Sequence, residues 1–276
     1  MAQRTVFNAA KECLRAASAD EKLALTFAAA GAFLCGELTA PDEAALPDPI
    51  RMPGRPATPR LVHPRELSKR GMGSPQGRAA FVHSIAHIEF NAIDLAWDAV
   101  YRFRGLPGAY YADWIGVAQD EARHFGMLRE RLRQFGQEYG DFDAHNGLWE
   151  MAEKTAHDGL ARMALVPRVL EARGLDVTPA MILKLRALGD DATADILEVI
   201  LREEVAHVAA GSRWFRWYCE RAGIEPRLRF RQLLDEYAHG SLRVPFNHAA
   251  RRAAGFDDEE IALLEASAMR ASTGPS

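Results

Sequence analysis

The chain has 276 residues, 48% hydrophobic and 26% charged, with a formal net charge of -4. That balance excludes a disordered chain or a general polyanion binder, and it fits one large or two small globular domains with a sizeable core. No apolar run approaches the ~20 residues of a membrane span.

The opening stretch, MAQRTVFNAAKECLRAASADEKLAL, mixes charges into its apolar residues and lacks a secretory h-region. Cys13, Cys35 and Cys219 stand far apart, without a CxxC and in odd number. A reducing, cytoplasmic setting is expected, with the thiols as buried small apolar side chains.

In chain order, the pattern is helical throughout, because 3.6-residue periodicity recurs and β-branched runs of period two are missing. A helical segment is expected over 1–38, with Ser18-Ala-Asp20 as a break and cap. Eight prolines between Pro41 and Pro75 make 39–76 an extended arm over the surface, or alternatively a flexible linker. Four long helices follow over 77–221, at roughly 77–104, 109–138, from about 147 to at least 173, and 191–221. Gly174, Thr178 and Pro179 should kink or break the third. A C-terminal extension over 222–276, packed on the bundle, holds helices near 227–239 and 257–270 and then a disordered-looking tail. The fold class is therefore all-α: a four-helix bundle with helical extensions at both ends and a proline-rich arm.

The form Glu-x-x-His occurs three times, at Glu121–His124, Glu204–His207 and Glu236–His239. The 21 Glu and 9 His would give fewer than one by chance, so the letters alone carry little. Spacing carries more. Glu89 precedes Glu121 by 32 residues and Glu171 precedes Glu204 by 33, and each first Glu lies 18 residues before the intervening turn at Pro107 or Gly189. In antiparallel helix pairs, each half then sets a Glu beside a Glu-x-x-His. Four carboxylates and two imidazoles are the donor set of di-iron and di-manganese bundles.

Facing separates the three motifs. Glu121 lies within about 20° of the stripe through Trp114, Ala118, Phe125 and Leu128, and His124 within about 80°. Glu204 and His207 lie about 30° from the stripe through Ile196, Ile200, Gly211 and Trp214. Glu89 falls among Phe81, Ile85, Ala92 and Ala96. Carboxylates on an apolar face call for a partner. Glu236 and His239 instead lie more than ~100° from the stripe of Phe230, Leu233, Leu234 and Tyr237. Glu171 has an ordinary alternative, a helix-end pair with Arg168 or Arg173.

Other residues have ordinary readings too. His83 and His87 are expected at the surface or in interhelix hydrogen bonds. Glu203 is expected in an ion pair or behind the metal ligands, Asp120 and Arg123 are expected as exposed charges or as supports of the ligands, and His157 lies too far along its helix to share the site. Trp97, Tyr101, Trp114, Trp214, Trp217 and Tyr218 are expected in packing rather than in electron relay. Arginine-rich stretches at 51–78 and 213–252 are read as solvated surface, with an anionic or RNA patch as the alternative.

Charge and donor type set the chemistry. Four carboxylates balance two divalent cations, and oxygen donors suit iron or manganese in higher oxidation states. Two metals roughly 3.5–4 Å apart can bind a small molecule such as O₂ between them.

The stretches Gly54-Arg-Pro, Pro-Arg-Glu-Leu67, Gly-Ser-Pro75, His-Ile-Glu89, Asp120-Glu-Ala-Arg-His-Phe125, Leu170-Glu-Ala-Arg-Gly-Leu175 and Pro245-Phe-Asn with Ala-Gly-Phe256 resemble an uncharacterised ferritin-like family, domain of unknown function 455. Leu170-Glu-Ala-Arg173 is also similar to a segment of the tRNA-modifying di-iron hydroxylases, where the corresponding Glu is a ligand. The resemblance implies a ferritin-like bundle holding two iron ions, or manganese or a mixed Mn–Fe pair. Its ligands would be Glu89, Glu121, His124, Glu171, Glu204 and His207.

The expected activity is an O₂-activating oxidoreductase that hydroxylates or oxidises an organic substrate. It would use a small-molecule substrate, a reductase as electron donor, no membrane, and a monomer or homodimer. Iron oxidation, storage or peroxide scavenging is the alternative, and a scaffold with a vestigial site is the third; RNA as substrate rests on the arginine clusters alone.

Overall fold

The computed structural model of the protein describes residues 4–41, 45–68, 70–238 and 242–273. It is all-α: among the described residues there is no sheet, only isolated bridges pairing Thr5 with Thr39 and Leu61 with Ala144. The chain divides into two compact units, residues 1–153 and 154–276. No described helix is long and apolar enough to cross a membrane.

The first unit begins with α1 (Val6–Arg15) and α2 (Ala19–Leu34). The expected break between them is real, and Ser18 caps α2 by accepting a hydrogen bond from the Glu21 N–H. Among its described residues, the proline-rich arm then runs without regular structure except for one 3₁₀ turn at Pro64–Glu66. It is a fastened strap. The Gly54 N–H donates to the Leu14 carbonyl at 2.6 Å, the Val62 N–H to the Ala144 carbonyl at 2.8 Å, and the Trp149 indole N–H to the Arg51 carbonyl at 2.7 Å. A Cβ on Gly54 would stand 2.3 Å from the Arg15 carbonyl oxygen, so only glycine lets the strap approach the end of α1.

Helices α3 (Pro75–Arg102) and α4 (Gly108–Gln134) pack along each other. The turn between them has Gly105 at φ +67°, and α5 (Gly147–Lys154) ends the unit. From Glu89 to Tyr101 every residue of α3 is buried. Its polar positions therefore need internal partners. Asp94 forms a fully buried ion pair with Lys22 of α2, whose ammonium also donates to the Cys13 carbonyl at 3.1 Å. Asp98 accepts from Arg102 one turn on, and the Trp97 indole donates to the Thr26 hydroxyl at 2.9 Å.

The second unit differs from expectation in its first helices. One helix from about 147 to beyond 173 was expected, with a break at Gly174 to Pro179. The chain instead breaks at Thr155–Asp158, where the Asp158 carboxylate accepts from the Leu160 N–H at 2.8 Å and starts α6 (Gly159–Leu165). A π-helical turn, Val166–Glu171, joins α6 to α7 (Ala172–Ala187), which carries Pro179 inside it without breaking. Pro167 accounts for the wide turn: it has no N–H for the carbonyl four residues back, and its ring crowds that carbonyl.

After Gly189 (φ +72°) the chain returns along α8 (Asp191–Ala222), capped by Asp190. The second unit closes with α9 (Pro226–Tyr237), α10 (His248–Ala253) and α11 (Asp258–Thr273). The short α10 was not expected, and α11 runs three residues past the expected end, into the stretch read as a disordered tail. Cys13 and Cys219 are buried as expected, whereas Cys35, just past the end of α2, is exposed.

Lys22→Met should lower stability by about 3–5 kcal/mol, because it leaves the Asp94 carboxylate buried and uncompensated. Lys22→Met with Asp94→Leu should recover most of that loss. Urea denaturation of the single and double variants measures both.

Candidate metal centre

The first unit brings three of the expected ligands together. Glu89 comes from the middle of α3, and Glu121 and His124 lie one turn apart on α4. All three are buried, His124 completely. The His124 Nδ1 lies 3.1 Å from a Glu89 carboxylate oxygen and 3.4 Å from one of Glu121. One ligand atom from each residue falls within 4.8 Å of the others, a spacing that can hold a metal ion.

Burial pushes the Glu89 carboxyl up to about 8, and the neighbouring Glu121 charge adds to the rise. Burial by itself would lower the His124 pKa. The hydrogen bonds to Glu121 and Glu89 outweigh that and hold it up at about 11. Without a metal, the cluster thus keeps protons between its carboxylates, which is the state a cation would displace.

In the second unit, Glu204 and His207 lie one turn apart on the buried face of α8, with His207 Nδ1 3.4 Å from a Glu204 oxygen. That separation equals the one between Glu121 and His124. Glu171 is half-buried at the last position of the π-helical turn. Within this unit, Glu171, Glu204 and His207 form no triad as compact as that of the first.

The π-helical turn sits tight against α8. A Cβ on Gly211, one turn beyond His207, would meet the Pro167 ring at 2.3 Å. Arg168 binds Glu260, and Arg173 lies 3.8 Å from an oxygen of Asp176.

The third motif is split by the description. Glu236 is exposed, as its position off the stripe implies, and His239 lies outside the described residues. His157 is exposed, Glu203 pairs with Arg202 at 3.7 Å, and Asp120 pairs with Arg123 at 2.7 Å.

His83 and His87 are not at the surface. The His83 Nε2 accepts from the Gly140 N–H at 2.9 Å, while His87 lies 2.8 Å from the Tyr139 hydroxyl and 3.0 Å from the His145 carbonyl. Burial lowers the His83 pKa to about 4 and that of His87 to about 3, so both are neutral at pH 7.

In the arginine-rich stretches, Arg60, Arg227 and Arg252 are solvated at the surface and paired with carboxylates, and Arg251 is buried. Arg60 binds Asp143, Arg227 binds Asp257 and Glu259, Arg252 binds Asp258, and Arg251 is buried against Asp176. The aromatic residues serve in packing, as in the edge-to-face pairs Trp214–Trp217 and Trp217–Tyr218.

Sequence reasoning missed a buried polar network on α3: Asn91 and Asp94, with Lys22, Arg55 and Tyr139 around them. Its signal was present, since Asn91, Asp94 and Asp98 interrupt a helix read as having one apolar stripe.

A family model described as a protein of unknown function (DUF455) matches residues 15–262. An uncharacterised protein of Haemophilus influenzae (strain ATCC 51907 / DSM 11121 / KW20 / Rd) is 45% identical over 215 residues, which cover 75% of this chain and 74% of that protein. No solved structure matches.

Because His83 has an ordinary pKa of about 6.5 when unfolded and about 4 when folded, the unfolded chain binds its proton first as pH falls. Its contribution is complete above pH ~6.5 and is lost as pH falls toward 4, by an amount on the order of 3 kcal/mol. Denaturation curves between pH 7 and 4 should show the native protein losing about this much more stability than His83→Gln, since His87, with the same sign, and Glu89, with the opposite sign, act on both proteins.

Proposed function

The chain belongs to the DUF455 family, and we propose that it is a di-iron carboxylate oxidoreductase that activates dioxygen to oxidise an organic substrate. The observation that carries this reading is the buried Glu89–His124–Glu121 cluster, two carboxylates converging on one imidazole in a helical core. Structural packing gives no reason to bury two carboxylates around one histidine, whereas a divalent cation neutralises both.

In this reading Glu89, Glu121 and His124 supply one half of a two-metal centre, and Glu171, Glu204 and His207 supply the other. The matching Glu-x-x-His geometry of α4 and α8 and the paired spacings of 32 and 33 residues support the second half. The ferritin-like bundle belongs to the same proposal. The donors fit iron, with manganese or a mixed pair as variants, because all are carboxylate oxygens or imidazole nitrogens. No cysteine belongs to the cluster, and burial raises the Cys13 and Cys219 thiols to about 12 and about 11.

When bound, two iron ions supply two-electron oxidation with O₂ as oxidant. The protein contributes position and enclosure. Glu121 and His124 are fixed by their shared helix turn, and Glu89 by α3 packed alongside. Phe90 and Phe125, each next in sequence to a ligand, meet with tilted rings 5.2 Å apart between centroids and so brace α3 against α4. The π-helical turn sets Glu171 at a backbone irregularity of the kind that collects at functional sites. An electron-donating reductase and a small organic substrate complete the proposed system. Peroxide removal or iron oxidation without an organic substrate is the second reading; the near-complete burial of Glu121 and His124 favours it, since small oxidants need little access.

Metal analysis of chains expressed with added iron and manganese tests the assignment. The native protein should carry two metals per chain. Glu121→Ala and Glu171→Ala should each lose at least one, while Glu236→Ala retains both. Full metal content in Glu121→Ala would overturn the centre, and full content in Glu171→Ala would remove that residue from it.

A further inference from the structure

Beneath the proline-rich arm lies a cavity of about 330 Å³, lined by Arg55, Pro59, Leu61, His87, Phe90 and Tyr139 among others. It is distinct from the metal cluster. His87 and Phe90 project from α3 about 160° and about 100° around the helix from Glu89. Its walls are mostly apolar and its outer wall is held firmly. Gly140 (φ +112°) lets Thr58 approach to where a Cβ would stand 2.4 Å from the hydroxyl, and the Leu61–Ala144 bridge fixes the far end.

Arg55 is the unusual group here. Arg60 and Arg102 each have a carboxylate partner, whereas the Arg55 guanidinium donates only to neutral amides, to Asn146 and Asn91 Oδ1 at 2.8 Å each. Its Nε–H is buried and has no hydrogen-bond acceptor. The acidic group that acts on it, Asp94, is already neutralised by Lys22. Guanidinium has five N–H donors and does not lose its charge, so a half-buried Arg with amide partners alone leaves a positive charge and spare donors beside an apolar cavity.

Tyr139 does not meet that need. No hydrogen bond joins Arg55 to the Tyr139 hydroxyl, which lies 2.8 Å from His87 Nδ1.

We propose that this cavity binds a small organic carboxylate, its anionic end on Arg55 and its apolar body against Phe90, Leu61 and Pro59. The site stands whether or not the metal assignment holds. A cavity of this size lies at the small end of ligand pockets, which are mostly apolar with a few placed polar groups.

Isothermal titration of the full chain with benzoate, benzamide and inorganic phosphate tests the site. Benzoate should bind one per chain, with benzamide and phosphate each at least about tenfold weaker, because one lacks the charge and the other the apolar body. Arg55→Gln should weaken benzoate by about tenfold or more while thermal unfolding stays cooperative. Should Arg55→Gln fail to fold, Ala57→Trp at the exposed rim blocks the mouth and leaves the Arg55 hydrogen bonds in place; it should abolish binding. Absence of benzoate binding, equal affinity for benzamide or phosphate, or full benzoate affinity in a folded Arg55→Gln or in Ala57→Trp would each overturn the proposal.

Discussion

An ionisable group taken out of water must be neutralised where it lies, and α3 takes several. Between Glu89 and Tyr101 this helix has no solvent-facing side, yet it carries Glu89, Asn91, Asp94 and Asp98. Each therefore dictates something about its surroundings. Asp94 requires Lys22, which fixes α2 against α3. Asn91 receives Arg55, which holds the arm. Glu89 meets His124, which aligns α3 and α4 and leaves two carboxylates around one imidazole. The first unit is organised by these pairings as much as by apolar packing.

The second unit obeys the same constraint through arginine. Arg168, in the π-helical turn, is fully buried; it binds Glu260 of α11 and lies over the rings of Phe215, Phe230 and Phe256 at 4.3–4.7 Å. Arg251 of α10 does the same with Asp176 and Phe246. Such pairs add specificity more than net stability, since desolvation offsets much of their attraction. Here they tie the C-terminal helices to the turn that carries Glu171. Gly211 allows that turn to lie directly on α8.

Helix existence and most boundaries were legible, because caps and breakers act locally. Ser18, Ser74, Gly105 with Pro107, and Gly189 with Asp190 all stand where the chain turns. The third helix of the expected four was misjudged for a physical reason. Pro179 is accommodated inside α7, whereas Pro167 widens the helix into a π turn, and the sequence does not distinguish the two prolines. The burial of Glu89, Glu121, His124, Glu204 and His207 was legible from their positions on apolar stripes. His83 and His87 were expected at the surface or in bonds to another helix; they are buried and bonded to Tyr139, Gly140 and His145 between α4 and α5, because α3 is covered on more than one side.

By itself the sequence determined an all-α chain, the positions of most of its turns, and two inward-facing Glu-x-x-His motifs, since periodicity, capping and stripe position are properties of a few neighbouring residues. Only the tertiary structure decided that His124 Nδ1 faces both Glu89 and Glu121, that the arm is a fastened strap enclosing a cavity, and that Arg251 is buried against Asp176. Those outcomes depend on residues tens of positions apart meeting in a core, where the requirement to pair every buried charge selects among the contacts the local pattern allows.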